Sequence, residues 1–271
     1  MPLGVSKNLF QRFVSAVSLL PLVLGAVYFG GWWFVSLLVL GGALMATEWV
    51  KLTVTSTVAV GVALAVAVSA LVIWAEYTAA NAGQLIAGLL LSALVGIGLV
   101  KSLPFKKAGW FLIGFAYVSL PLVAMWWLRT QDVWWVLWVF LIVWGTDIGG
   151  YFAGKGIGGP RLAPKLSPKK TWSGLAGGMA LSMGASYCLY LIVNFGPSLN
   201  SLFVLSALFA VWAQVGDLME SGVKRAFDAK DSGSIIPGHG GVLDRVDGLV
   251  FVAPAMVAVA LFAPSLLNVA S

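Results

Sequence analysis

The sequence predicts an all-α polytopic membrane protein with about nine transmembrane helices. Hydrophobic residues make up 60% of its 271 residues and charged residues only 10%, whereas a soluble domain is nearer a quarter charged. The mean hydropathy of +0.97 indicates the same class. Because the basic residues lie between apolar stretches, the net charge of +6 indicates membrane orientation and anionic lipid rather than nucleic acid.

Nine apolar stretches each have about the 20 residues that a helix needs to cross the hydrocarbon core. The first begins with basic residues, but no cleavage site follows it, so we interpret it as a transmembrane helix rather than a signal peptide. Little more than the Gly30–Gly31 pair separates it from the second. With ends placed to within about four residues, the predicted spans are 10–29, 32–50, 54–74, 83–100, 109–128, 133–152, 172–194, 199–220 and 247–266.

The distribution of basic residues predicts the orientation. If the N-terminus is cytoplasmic and nine spans alternate, all 16 lysines and arginines except Arg129 fall on the cytoplasmic side. The positive-inside rule predicts such a split, and an extra or missing span would scramble it. The C-terminus is therefore expected on the opposite side of the membrane.

The acidic residues divide the chain unevenly. All ten except Glu48, Glu76 and Asp132 lie beyond residue 140. We therefore predict one integral membrane domain, 1–271, in which 1–130 is a hydrophobic, lipid-facing scaffold and 131–271 is a catalytic half. Two long polar connections, 153–171 and 221–246, are expected in the cytoplasm.

The first polar segment of interest is 144–174. Asp147 falls inside the sixth span, where a carboxylate is costly. It either marks a functional cavity or has a structural role, as the partner of a lysine or in helix packing. The six glycines between 149 and 159 fit either a flexible turn or a backbone that approaches phosphate. In SPKKT, 167–171, the lysines suit both membrane topology and a polyphosphate. Thr171 is predicted to cap the next helix.

The second polar segment is 216–248. On a helix, Asp217, Glu220 and Ser221 share one face, and Asp244 and Asp247 are likewise three apart at the start of the last span. Carboxylates from two helix ends can hold a hard cation such as Mg²⁺, with water and substrate phosphates completing its shell. A structural ion-pair network is the alternative.

His239 lies in the PGHGG turn of this second segment and is the single histidine. A loop hydrogen bond, a phosphate contact and proton transfer are all open to it. The sequence excludes a histidine-rich metal site, and it contains no P-loop, zinc motif or nucleophile elbow. The single cysteine, Cys188, excludes an internal disulfide.

These two segments resemble the phosphatidate cytidylyltransferase, or CDP-diacylglycerol synthase, family. The resemblance rests on W-G-x-D and S-P-K-K-T, then S-x-x-K-R, K-D-S and I-P-G-H-G-G-x-L-D-R-x-D within 221–247. It covers about 60 residues in two blocks and extends to the length and the nine-span layout. One departure is Ser173, which stands where the family often has a glutamate.

The resemblance implies the reaction of CTP with phosphatidic acid to give CDP-diacylglycerol and pyrophosphate, with Mg²⁺ required and a second cation as an option. It implies Asp217 and Asp244 as metal ligands. The residues expected to be catalytic are Asp217, Asp244, Asp247, Lys224, Arg225 and Asp231. Those expected to bind substrate are Asp147, Ser167, Lys169, Lys170, Thr171, His239, Gly240, Gly241 and Arg245.

We expect an integral protein of a bacterial inner membrane, with its site on the cytoplasmic side and a homodimer as an option. One alternative function is a CTP-dependent lipid or polyprenol kinase, which shares the membrane layout but releases CDP. Another is an ion-coupled transporter that uses Asp147. A transporter needs polar residues near the midplane of several spans, whereas here they gather at one face.

Overall fold

A computed structural model describes residues 7–54, 58–99, 103–193, 196–235 and 240–268. Within this part the chain is mostly helical. In chain order the elements are α1 Lys7–Phe29, α2 Gly31–Thr53, α3 Val58–Thr78, α4 Ala82–Leu99, α5 Phe105–Gln131, α6 Val133–Gly156, β1 Arg161–Ala163, β2 Ser167–Thr171, α7 Trp172–Val193, α8 Leu199–Ala226, α9 Leu243–Phe262 and α10 Pro264–Leu267.

Seven of the described helices, α2, α3 and α5–α9, are long and apolar enough to cross a membrane. This confirms an α-helical polytopic membrane protein. The apolar described parts of α1 and α4, Val17–Phe29 and Ala82–Gly96, are shorter, so the count of nine spans stays a prediction. Gly30 and Gly31 both have positive φ, 67° and 49°, which allows the abrupt turn between α1 and α2.

Two polar connections are shorter than predicted because the helices run past the apolar stretches. Helix α6 continues to Gly156 and α8 to Ala226, while α9 begins at Leu243, four positions before its predicted start at 247. Asp244 and Asp247 therefore both lie in the first turns of α9. Helical backbone satisfies its own N–H and C=O groups, so polar side chains at a span end do not stop it.

The chain divides into two compact units. The first comprises Met1–Trp126 and Phe227–Val246, and the second Trp127–Ala226 and Asp247–Ser271. Helices α5 and α9 thus contribute residues to both. The prediction of one membrane domain with a catalytic second half stays a prediction.

In the first unit, α2 packs against α1 and α3, and α3 packs against α4. An aromatic cluster fixes the end of α2 against α5. The Trp49 ring stacks on Tyr117 with centroids 4.7 Å apart, and its indole N–H donates to the Trp110 carbonyl over 2.9 Å. Gly114 provides the space, because a Cβ there would collide with the Trp49 ring. The segment after α8 joins this cluster through an edge contact of Phe227 on Trp110.

In the second unit, α7 packs against α6 and α8. Buried hydroxyl groups link the three helices: Ser206 donates to the Ser186 hydroxyl over 2.8 Å, and Ser182 donates to the Ile142 carbonyl over 2.8 Å. The Trp138 indole also donates to Ser186. Small hydroxylated residues let helices approach closely in lipid, and each such bond is worth about 0.6 kcal/mol.

One short hairpin departs from the all-α prediction. Strands β1 and β2 pair antiparallel, with Arg161 opposite Thr171 and Ala163 opposite Ser167. The SPKKT motif is thus a strand rather than a loop. Along β2, Lys169 is exposed, Lys170 is half-buried and Thr171 is 4% exposed, so the hairpin holds its two lysines in different environments.

Candidate active site

Lys170 and Asp217 form an ion pair in the second unit, joining β2 to α8. Their side chains are 16% and 28% exposed, so the pair is partly shielded from water. Ser221, one turn after Asp217 on α8, donates to the Asp217 carboxylate over 3.4 Å. The predicted shared face of Asp217 and Ser221 is confirmed.

A further carboxylate, Asp247, connects this pair electrostatically to Asp147. Asp247, at the start of α9, interacts with Asp217, with Asp147 of α6 and with Lys170. The approach of α8 to α9 depends on Gly216, since a Cβ there would lie 2.5 Å from the Asp247 carbonyl oxygen. Three helices and one strand thus bring three carboxylates and one ammonium group together. Asp147 is exposed.

The basic hairpin is tied to the start of α7. Thr171 caps this helix as predicted, because its hydroxyl accepts from the Gly174 N–H over 3.0 Å. Ser173, at the position where the family often has a glutamate, donates to the Gly158 carbonyl and so fastens the turn before β1. Ser167 is half-buried, and Lys169 is exposed on the same strand.

The glycine-rich stretch after Asp147 mainly serves helix packing. Gly149, Gly150, Gly154 and Gly156 lie within α6, so for them the interpretation as a flexible turn or phosphate loop was wrong. A Cβ on Gly149 would collide with the Gly177 carbonyl of α7. Tyr151, Phe152, Ala153 and Lys155 stand between these glycines and are compatible with a helix, which allows α6 to continue through them. Gly158 and Gly159, with φ of 68° and 107°, form the turn.

Glu220 and Lys224 pair at the end of α8, with Lys224 Nζ 3.0 Å from Glu220 Oε1. The Glu220 side chain is 2% exposed, which makes it a buried acid that the predicted site omitted. Its i, i+4 spacing to Lys224 was the available signal. Arg225 is exposed beside this pair. The pair holds the Lys224 ammonium in a fixed position at the end of the helix.

The first unit holds Asp244 and the described arms of the second polar segment, 231–235 and 240–243. Asp244 Oδ2 accepts from the Ser232 N–H, the Ser232 hydroxyl and the Gly241 N–H, each over 2.9 Å. Gly240 has a φ of 86°, and a Cβ there would lie 2.8 Å from the same oxygen. Two backbone N–H groups and one hydroxyl thus hold this carboxylate oxygen. A side chain at Gly240 would collide with it, which explains the glycine at that position of the motif.

Glu48 is the second carboxylate of this unit, and sequence reasoning missed it. It is 3% exposed near the end of α2, and its oxygens accept from the Val242 N–H over 2.9 Å and the Leu243 N–H over 3.0 Å. These partners are 194 and 195 positions away in sequence. An acid near a span end looks interfacial from hydropathy alone, so only its position in an apolar helix was a signal.

Three predicted site residues remain: Asp231, Arg245 and His239. Asp231 and Arg245 are exposed. His239 lies in 236–239, outside the described residues, so its role stays a prediction. The roles assigned to the other site residues also stay predictions, although Lys170, Asp217, Asp147 and Asp247 lie together.

The donor chemistry fits a hard cation. The carboxylates of Asp147, Asp217 and Asp247 exceed the charge of Lys170, and all their donors are oxygen. Within the described part of the chain, no group of three or more His, Cys, Asp or Glu side chains has an arrangement that could hold a metal by itself. Mg²⁺ commonly takes only one or two protein carboxylates and completes its shell with water and substrate phosphates.

The cytidylyltransferase family matches residues 10–263, nearly the whole chain. The chain belongs to this family. The match includes both compact units, with the Lys170–Asp217 pair in one and the Glu48 and Asp244 carboxylates in the other.

Relatives of this cytidylyltransferase-family chain include phosphatidate cytidylyltransferases. The phosphatidate cytidylyltransferases of Brucella suis biovar 1 (strain 1330) and Brucella abortus biovar 1 (strain 9-941) are each 38% identical to it over 255 residues, which is 91% of either chain. The phosphatidate cytidylyltransferase of Staphylococcus aureus (strain COL) is 40% identical over 152 residues, or 56% of this chain and 58% of the relative.

Proposed function

We infer that this integral membrane enzyme transfers the cytidylyl group of CTP to phosphatidic acid, forming CDP-diacylglycerol and pyrophosphate in phospholipid biosynthesis. The observation that carries this function is 38% identity to phosphatidate cytidylyltransferases over 91% of both chains. The motif residues Lys170 and Asp217, distant in sequence, form a direct ion pair, which supports a shared role in the reaction.

The chemistry is an in-line displacement between two anions. A phosphatidate oxygen attacks the α-phosphorus of CTP, a new P–O bond forms, and the bond to the β-phosphate breaks to release pyrophosphate. The nucleophile is already an anionic oxygen, so no general base is needed. Positioning and charge neutralisation therefore dominate the rate enhancement.

The basic residues supply this neutralisation. Lys170 is held in place by Asp217, and Lys224 is held by Glu220, so both ammonium groups are oriented before substrate binds. Preorganised charges of this kind act without reorganisation in the transition state. We assign phosphate binding to Lys169, Lys170, Lys224, Arg225 and Arg245.

We propose that the reaction requires Mg²⁺, with Asp217 and Asp244 as protein ligands and with Asp247, Asp231 and Asp147 as further candidates. When bound, the ion would neutralise charge on the triphosphate and stabilise the leaving pyrophosphate. The residues then have distinct tasks: Lys170 orients Asp217, and Ser232 with Gly241 orients Asp244. A second cation is compatible with the number of carboxylates.

We further propose nine spans, a cytoplasmic N-terminus and a site facing the cytoplasm of a bacterial inner membrane. The basic residues support this orientation. In a Cys188→Ser background, Lys165→Cys should react with an impermeant maleimide only in inside-out vesicles, and Thr130→Cys only in right-side-out vesicles. The reverse pattern would invert the topology. A homodimer stays a prediction, which the mass of the detergent-solubilised protein measures.

The function is tested by supplying purified protein with CTP, phosphatidic acid and Mg²⁺. Equimolar CDP-diacylglycerol and pyrophosphate are expected. Release of CDP with phosphorylation of the lipid would instead indicate a CTP-dependent kinase.

A further inference from the structure

Glu48 is a buried carboxylate near the end of α2, a largely apolar helix of the first unit. It is 3% exposed, and α2 carries no other acidic residue among its 23 positions. Removing a carboxylate from water is costly unless hydrogen bonds compensate it. Its position therefore needs partners strong enough to offset that desolvation.

Those partners lie in the polar segment that leads into α9, whose described arms are 231–235 and 240–243. Glu48 Oε1 accepts from the Val242 N–H over 2.9 Å, and Oε2 accepts from the Leu243 N–H over 3.0 Å. The Ser232 hydroxyl lies 3.4 Å from Oε2. The two N–H groups belong to the start of α9, where a helix leaves donors unpaired and favours negative charge. Glu48 thus fastens both described arms of the segment to α2.

The same arms hold Asp244. Its Oδ2 accepts from the Ser232 N–H, the Ser232 hydroxyl and the Gly241 N–H. The Ser232 hydroxyl therefore lies within hydrogen-bond distance of both carboxylates. Because one hydroxyl has one proton to donate, Glu48 and Asp244 share a single donor and their positions are coupled.

Two glycines in the segment leave the space that the Glu48 carboxylate occupies. A Cβ on Gly233 would lie 2.7 Å from Glu48 Oε1, and a Cβ on Gly241 would lie 2.6 Å from Oε2. Real Cβ atoms do not approach oxygen this closely, so a side chain at either position would displace the Glu48 carboxylate. The segment is built around the carboxylate on two sides.

The base of Glu48 is itself rigid. The next residue, Trp49, stacks on Tyr117 and donates to the Trp110 carbonyl. Glu48 therefore attaches the segment to a part of α2 that is itself packed against α5.

We propose that Glu48 is a positioning residue for the cytidylyl transfer, which sets the place of Asp244 by holding Ser232, Val242 and Leu243. This inference rests on the proposed function, because it assigns Asp244 a part in that reaction. Glu48 itself contacts backbone and a serine, not substrate.

The first test compares Glu48→Gln with Glu76→Gln in the purified full-length enzyme. The amide keeps the shape of Glu48 but directs an NH₂ group toward backbone N–H donors. Glu76 is a matched control, since it is also an acid of the first unit, bonded to the Trp126 indole over 2.7 Å. We expect Glu48→Gln to lower kcat about 10- to 100-fold, the range for a misplaced group, with KM for CTP changed less than about threefold. Glu76→Gln should change neither.

Trypsin provides a readout independent of activity. Lys230 in the segment and Lys165 in the hairpin are both exposed. Glu48→Gln should speed cleavage after Lys230 about tenfold relative to cleavage after Lys165, because only the segment is released. An equal rise at both sites would indicate general loosening and would contradict the positioning role.

Ser232→Ala keeps the test decisive if Glu48→Gln does not fold. It removes only the shared hydroxyl and should lower kcat several-fold. Where both variants fold, their double variant should be no slower than Glu48→Gln alone, since coupled residues are not additive. If Glu48→Gln or Ser232→Ala has the kcat of the wild-type enzyme, the positioning role of Glu48 is contradicted, while the proposed function still stands. A wild-type enzyme that forms no CDP-diacylglycerol contradicts the proposed function itself.

Discussion

The Lys170 ammonium group forms an ion pair with the Asp217 carboxylate and so connects strand β2 to helix α8. The hairpin that carries Lys170 is fixed in turn by Thr171 at the start of α7. A basic motif that looked like a topological signal is therefore part of a defined charge arrangement.

Lys170→Gln should lower kcat/KM for CTP at least about 100-fold, a loss typical of removing one preorganised electrostatic group. The change removes the partner of Asp217 and leaves that carboxylate facing the charge of Asp247. Steady-state kinetics on the purified variant measure this loss. Lys165→Gln, an exposed lysine in the same hairpin, should stay within twofold of wild type. Equal effects of the two substitutions would show that only net charge matters.

Asp217→Asn and Asp244→Asn should each give a folded, inserted protein with turnover reduced at least about 1000-fold at any Mg²⁺ concentration. Each removes a charge from a proposed cation ligand while keeping the side-chain shape. Activity across a Mg²⁺ titration is the measurement, and Lys51→Gln, an exposed residue of α2, is the neutral control. Near-normal activity in either aspartate variant would remove that residue from the metal role.

Asp247→Asn should raise the thermal stability of the protein while it lowers turnover. Asp247 interacts with two other carboxylates, Asp217 and Asp147, so removing its charge relieves repulsion. We expect Tm to rise by about 2–4 °C, the shift for about 1 kcal/mol in a chain of this size, while turnover falls at least tenfold. Thermal unfolding in detergent measures the first effect.

The matched control for Asp247→Asn is Asp132→Asn. Asp132 accepts from the Trp134 N–H as the N-cap of α6, and asparagine caps a helix equally well. It should change neither Tm nor turnover. A lower Tm in Asp247→Asn would contradict a repulsive cluster.

Gly177→Leu should destabilise the second unit. A Cβ on Gly177 would lie 2.8 Å from the Gly149 carbonyl oxygen and would collide with Ala153, so α6 and α7 would have to separate. Overpacking of this kind costs about 1–3 kcal/mol, which Tm and the yield of monodisperse protein report. Gly184→Leu on the same helix has open space at its Cβ and should be tolerated. Similar losses in both variants would contradict close packing at Gly177.

Hydropathy predicted the helices well because each apolar stretch must satisfy its backbone within itself in lipid. Hydropathy did not predict the backbone conformation of the polar residues at the span ends. Lys224 and Arg225 remain helical at the end of α8, whereas the lysines of SPKKT lie in a strand. A hairpin of 3- and 5-residue strands is too short for an alternation pattern to identify.

The candidate site was predictable to the extent that its residues lie in contiguous motifs. Asp217, Asp244 and Lys170 were predicted that way. Glu48 was not, because its serine and backbone partners lie 184 to 195 positions away, and no local pattern encodes them. The packing role of Gly149 was hidden for the same reason, since its partner Gly177 is on another helix.

The most direct test follows both ends of CTP in one reaction. Purified protein in detergent receives phosphatidic acid, Mg²⁺ and CTP labelled separately at the α- and γ-phosphates. Cytidylyl transfer predicts α-label in the lipid product and γ-label in pyrophosphate, in equal amounts. Gamma-label in the lipid, with α-label in free CDP, would contradict the account.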